Sequence, residues 1–243
     1  MGNEGLGVGT VYFIPMVIGF IFMGISWFVS NRLKSKFNKY SKERLNIGLT
    51  GKQIAKKMLE QHGIRDVQVL NVKGQLTDHY NPTNKTVNLS DSVYSSVSVA
   101  ATAVSAHEVG HAVQHATAYK WLGIRSKLVP FQNISGRVLN IVVMAMMIGG
   151  YFLYQFIPVE LFIYVMIAGN AVITAFALVT LPVEFDASNR ALAWIDQNGI
   201  TSTHEHDKAK DALKWAALTY VVAALASLVN LLYWVFILLS RRD

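Results

Sequence analysis

Ala106-His107-Glu108-Val109-Gly110-His111-Ala112-Val113-Gln114 is the stretch on which the reading of this chain turns. It holds His-Glu-x-x-His within a segment of helical character. On a helix, positions i and i+4 share one face about one turn apart, so His107 and His111 can aim both imidazoles at one metal ion. Glu108 follows the first histidine, where its carboxylate can act as a base toward a metal-activated water. That combination is what a zinc peptidase needs.

The surroundings of the motif are apolar. The chain of 243 residues is 52% hydrophobic and only 15% charged, with a mean hydropathy of +0.33. Soluble domains carry about 25% charged residues. Four uncharged runs stand out: Val11 to Ser30, Leu139 to Ile157, Leu161 to Leu181 and Trp215 to Ser240. Each is near or above the roughly 18–20 residues a helix needs to cross a bilayer. Cysteine is absent, which excludes disulfides and thiolate metal sites and leaves His and carboxylate as ligands. The first run is too long for a signal-peptide core and lacks a basic leader, so a retained anchor is expected. Leu6 stands where a myristoylation signal needs Ser or Thr.

Charge is uneven. Asn31 to Arg137 holds 16 Lys+Arg against 6 Asp+Glu, starting with Arg32, Lys34, Lys36, Lys39, Lys42 and Arg44 directly after the first run. Next to a span, the positive-inside rule explains this surplus more economically than a nucleic-acid surface, so no nucleic-acid partner is expected. The N-terminus is then outside and the motif faces the cytoplasm. The segment Tyr154 to Glu160 has no Lys or Arg, as an outside turn should. Arg241 and Arg242 at the far end run mildly against the rule.

Between the first two runs, Thr50 and Gln53 form a capping box for a helix that stops near Gly63. Val67 to Val72, Gln75 to Tyr80 and Lys85 to Ser90 read as strands. A long helix is expected from Asp91 or Ser92 to about Ala118, carrying the motif. The strand Lys85 to Ser90 is the candidate edge for pairing with an extended substrate. The expected fold is an α+β membrane protein, mainly helical, with about four transmembrane helices and a small zincin-like sheet-plus-helix region. Its expected parts are an anchor (1–30), a cytoplasmic zincin-like region (31–137) and a transmembrane hairpin (138–181). A polar cytoplasmic loop or helix (182–214) and a last transmembrane helix (215–243) follow.

A catalytic zinc needs a third protein ligand. His115 sits two turns beyond His107 on a continuous helix, too far to share its metal. His79 lies before a turn with nothing in its spacing to require it, and His204 and His206 flank Glu205 in a polar segment. Glu184, in Pro182-Val183-Glu184-Phe185-Asp186-Ala187-Ser188-Asn189-Arg190, is the strongest candidate. Two crossings separate it from the motif, so it faces the same compartment, and a carboxylate among apolar neighbours is costly unless paired. Asp186 does not share its helical face, which disfavours paired-carboxylate chemistry.

The motif region, with Asp78-His79-Tyr80-Asn81-Pro82 upstream and Pro182 to Ser188 downstream, resembles the YugP-type membrane zinc metallopeptidases of bacteria, over nearly the whole chain. The motif order also resembles the HtpX-type membrane proteases, whose downstream pattern is Glu-x-x-x-Asp. Ser188 stands at the position of that Asp, leaving Asp186 or Ser188 to take its supporting role. The resemblance implies a gluzincin-like site, one zinc per chain on His107, His111 and Glu184, with Glu108 as general base. An oxyanion donor is expected, with Arg190, His79 and Tyr80 as candidates. Membrane-associated proteins or peptides are the expected substrates and the lipid bilayer the other partner, with a role in membrane-protein quality control by analogy. A zinc-binding scaffold without activity, an intramembrane-cleaving protease and a transporter are the competing readings. The intact Glu108, the polar flanks of the motif and the scarcity of polar residues in the spans argue against each in turn.

Overall fold

The computed structural model describes residues 8–153 and 158–241. Residues 1–7, 154–157 (most of the expected turn Tyr154 to Glu160), Arg242 and Asp243 therefore lie outside the described residues. The elements run α1 (Val8–Ser41), α2 (Gly51–Gln61), β1 (Gln68–Val72), β2 (His79–Asn81), β3 (Thr86–Ser90) and α3 (Asp91–Tyr94). They continue with α4 (Val99–Ala116), α5 (Lys120–Leu153), α6 (Val159–Gln197) and α7 (Thr203–Ser240). Helices α1, α5, α6 and α7 are each long and apolar enough to cross a membrane.

Their residues fall into two compact units. One comprises Met1–Trp27, Ile124–Thr180 and Tyr220–Asp243, the other Phe28–Gly123 and Leu181–Thr219. In the first, large apolar side chains point outward: Phe20 on α1, Ile141 and Met147 on α5, and Phe236 on α7. Such a belt is stable only in a lipid-like environment. Within it, Phe162, Ile163 and Met166 pack with Tyr233, Trp234 and Ile237. At one end of this unit Arg241 pairs with Glu160 at 3.3 Å. That pairing gives one of the two C-terminal arginines a counter-charge.

The second unit holds the sheet and the motif helix. Its sheet order is β1-β3-β2, with β1 parallel and β2 antiparallel to β3. All five residues of β3 are buried. The strand proposed as the substrate-pairing edge is thus the central one, and the edge assignment is corrected. It begins at Thr86 rather than Lys85, because Lys85 sits at φ +52°, outside the extended region. The second strand is confined to His79–Asn81. Ahead of it Asp78 accepts from the Ser90 N–H at 2.7 Å and hydroxyl at 3.1 Å. Burial pushes the Asp78 carboxyl up, against these bonds.

The Thr50–Gln53 capping box forms as expected. The long motif helix does not. It breaks at Ser95–Ser98, whose backbone pairs with the segment leading into α2 and with the first residue of α2: Leu45 N–H donates to Val97 O, and Gly51 N–H to Ser96 O. Ser98 then caps a fresh helix through Ala101 N–H at 3.2 Å. Serines favour such caps over helix interiors. Nearly every residue of α4 from Val99 to Gln114 is buried.

Residues 182–214 are mostly helix. Pro182 lies inside α6, which runs on to Gln197, and Val183, Glu184, Ala187, Ser188, Ala191, Trp194 and Ile195 form its buried face. The 3.6-residue period of that face keeps the helix going through the missing N–H of Pro182. Ser202 and Glu205 then start α7 with reciprocal cap bonds, Ser202 N–H to Glu205 Oε2 at 2.7 Å and Glu205 N–H to Ser202 Oγ at 3.4 Å.

Candidate metal centre

Helix α4 carries His107, Glu108 and His111, and the continuation of α6 brings Glu184 to them. Gly110 makes the approach possible. A Cβ at that position would stand 2.6 Å from the carbonyl oxygen of Ala187, so only glycine lets the two backbones touch. Glu184 lies one turn before that contact.

His107 Nε2 is 3.4 Å and His111 Nε2 3.6 Å from Glu184 Oε2. The three ligand atoms all lie within 4.8 Å of one another. Both separations are longer than a hydrogen bond. They match the edge of a tetrahedron about 3.4 Å long, which bonds of about 2.0–2.1 Å to a central zinc would give. The donor set of two imidazoles and one carboxylate is also that of an open catalytic zinc site. The residues therefore fit the metal. The imidazole rings are 4.7 Å apart and nearly perpendicular.

Each histidine is also held from behind. His107 Nδ1 is 3.1 Å from Ser188 Oγ. His111 Nδ1 is 3.0 Å from Gln114 Oε1. Gln114 Nε2 donates to Val183 O and to Asp186 Oδ2, both at 2.8 Å, and Arg190 Nε donates to the same Asp186 oxygen at 2.6 Å. Ser188 and Asp186 thus divide the support: Ser188 meets His107, and Asp186 reaches His111 through Gln114. Glu108 is 8% exposed. Burial of His111 works against its charge, but Glu184 and Glu108 outweigh that and hold its imidazole above the ordinary value.

The remaining candidates lie elsewhere. His115 is exposed and bonded to the Tyr80 hydroxyl at 2.7 Å. His79 is exposed, with Nδ1 2.8 Å from Thr77 O. His204 and His206 are in the first turn of α7. Among the oxyanion candidates, Tyr80 is engaged with His115, and Arg190 is tied to Asp186 and lies over the Tyr119 ring. Gln114 was not singled out by its sequence. Its one available signal is the i+3 spacing from His111, at which helical side chains meet.

Comparisons with known proteins name a zinc-peptidase family. The family described as "Putative neutral zinc metallopeptidase" matches residues 15–239. The "Putative membrane protease YugP" of Bacillus subtilis (strain 168) is 41% identical over 221 residues, covering 91% of this chain and 95% of the relative. No solved structure matches the chain. With the match running through all four long helices and the His-His-Glu cluster, this chain belongs to the neutral zinc metallopeptidase family.

Proposed function

We propose that this protein is an integral-membrane zinc endopeptidase acting at the cytoplasmic membrane face on membrane-associated proteins or peptides. The observation that carries the proposal is the pair of separations from Glu184 Oε2 to the two Nε2 atoms, set beside Glu108 in the same helix. His107, His111 and Glu184 would hold one zinc per chain. Zinc, when bound, supplies a Lewis acid that acidifies water and polarises a peptide carbonyl. Glu108 takes the proton of the attacking water and delivers it to the leaving amine. Ser188 and Gln114 keep the imidazoles turned toward the metal.

Substrate binding falls to β2. It pairs with β3 on one side only and packs against α4. Its outer edge offers backbone groups to an extended peptide beside the motif helix. The cytoplasmic side is supported by the basic surplus that follows the first span. Membrane-protein quality control is the role proposed by analogy with the motif order.

The test is zinc content and cleavage of casein or a membrane protein by detergent-purified wild type, Glu108→Gln and Glu184→Ala. Wild type should hold about one zinc. Glu108→Gln should keep zinc and lose cleavage, and Glu184→Ala should lose zinc. Full zinc and activity in Glu184→Ala would remove Glu184 from the ligand set. Zinc binding without any Glu108-dependent cleavage would favour a scaffold.

A further inference from the structure

Gln114, Asp186 and Arg190 form a hydrogen-bonded chain behind His111, on the side away from Nε2. Its sense is dictated by chemistry. The carbonyl of Val183 and the carboxylate of Asp186, paired with Arg190, accept hydrogen bonds only. The atom of Gln114 that meets both at 2.8 Å must be the amide nitrogen. The amide oxygen then faces His111 Nδ1 at 3.0 Å, and an oxygen of this kind cannot donate. Nδ1 must therefore carry a proton, so in the neutral ring the lone pair lies on Nε2.

We infer that Gln114 is a positioning residue that locks His111 in the Nδ1–H tautomer and relays the negative charge of Asp186 to it. Gln114 is fully buried, so water does not compete for these bonds. A neutral imidazole without such a partner exchanges between two tautomers, and one of them blocks Nε2 with a proton. The carboxylate behind the amide polarises it and strengthens the bond from Nδ1. Among the described residues, His107 has no equivalent constraint. Its partner Ser188 is a hydroxyl, which can donate or accept, and so dictates no tautomer. The two histidines are thus prepared unequally, with His111 the preorganised member. Gly110 contributes by seating α4 against the Val183–Ala187 turn, which brings Val183 O within reach of Gln114.

The inference rests on His111 being a metal ligand, and two measurements separate the two claims. The first uses full-length protein with ¹⁵N-labelled histidine, freed of metal by chelator, at a pH above the raised His111 transition, where the ring is neutral. His111 ring signals are assigned by their loss in His111→Ala. Wild type should show the Nδ1–H tautomer alone, and Gln114→Met a mixture of both. The second is titration with Co²⁺, followed by its visible spectrum. Gln114→Met should bind about 10–100-fold more weakly, with an altered spectrum. Asp186→Asn keeps an acceptor for Gln114 but removes the charge, so it should keep the tautomer and lose several-fold in affinity.

A wild-type tautomer and unchanged Co²⁺ affinity in Gln114→Met would overturn the inference. If that variant fails to fold, Asp186→Asn decides, and unchanged affinity there overturns the charge relay. If His111→Ala binds Co²⁺ as tightly as wild type, the ligand reading itself fails, whatever the tautomer shows.

Discussion

Ser188 Oγ stands 3.1 Å from His107 Nδ1, across 81 positions of sequence. A neutral hydroxyl therefore occupies the place from which a carboxylate could raise the basicity of this imidazole. Ser188→Ala should weaken zinc binding by about 10-fold, the lower end of the usual effect of losing such a partner. Ser188→Asp should bind zinc at least as tightly as wild type. Competition against a chelator of known affinity measures both, and equal affinity of Ser188→Ala and wild type would show that the contact does not orient His107.

Gly110 is the second point of control. An alanine Cβ there would press on the Ala187 carbonyl at 2.6 Å, and backbone on the far side has little freedom to yield. Gly110→Ala should destabilise by about 1–3 kcal/mol, as overpacking does, and should weaken zinc binding because α6 carries Glu184. Gly123→Ala meets open space and should be neutral or stabilising by up to about 1 kcal/mol. Thermal unfolding in detergent compares the two. Equal melting temperatures would refute the close-approach account.

Protons should compete with the metal at His111. Its imidazole is held above its ordinary value of about 6.5, with burial opposed and outweighed by Glu184 and Glu108. In chelated protein this raised group adds stability that is complete below about pH 6.5 and disappears as pH rises through the folded value. Zinc needs the deprotonated ring, so its stabilisation runs the other way. The melting-temperature gap between zinc-loaded and chelated protein should widen as pH rises above about 6.5 and through the raised folded value of His111. A gap independent of pH would contradict a protonated His111 in the metal-free site.

The membrane unit should be separable from the centre in stability. Asn230 Nδ2 donates to Asn170 Oδ1 at 3.2 Å, and Asn170 Nδ2 donates to Met166 O at 2.7 Å. Interhelical bonds of this kind contribute about 0.6 kcal/mol on average and up to about 1.7. Asn230→Leu should lower the melting temperature by a few degrees at most and leave zinc affinity unchanged. A large loss of zinc in that variant would mean the polar pair serves the site as well.

Local chemistry was readable from the residues alone. The i, i+4 spacing of His107 and His111 follows from the helical repeat, and the apolar runs follow from the length a bilayer demands. The Thr50–Gln53 cap is likewise a matter of neighbours in sequence. The continuation of α6 was also encoded, in the periodic buried face from Val183 to Ile195, and the start of α7 in the Ser202–Glu205 cap, although the polar composition of that stretch masked both. The tertiary structure alone decided which strand is central, because burial of all of β3 depends on β1 and β2 flanking it rather than on its own sequence. It also decided that Ser188 backs His107 and that Asp186 reaches His111 through Gln114, partners 81 and 72 positions apart. The helical repeat sets which side chains share a face. What that face meets is set by packing, and here by one glycine that lets α4 and α6 touch.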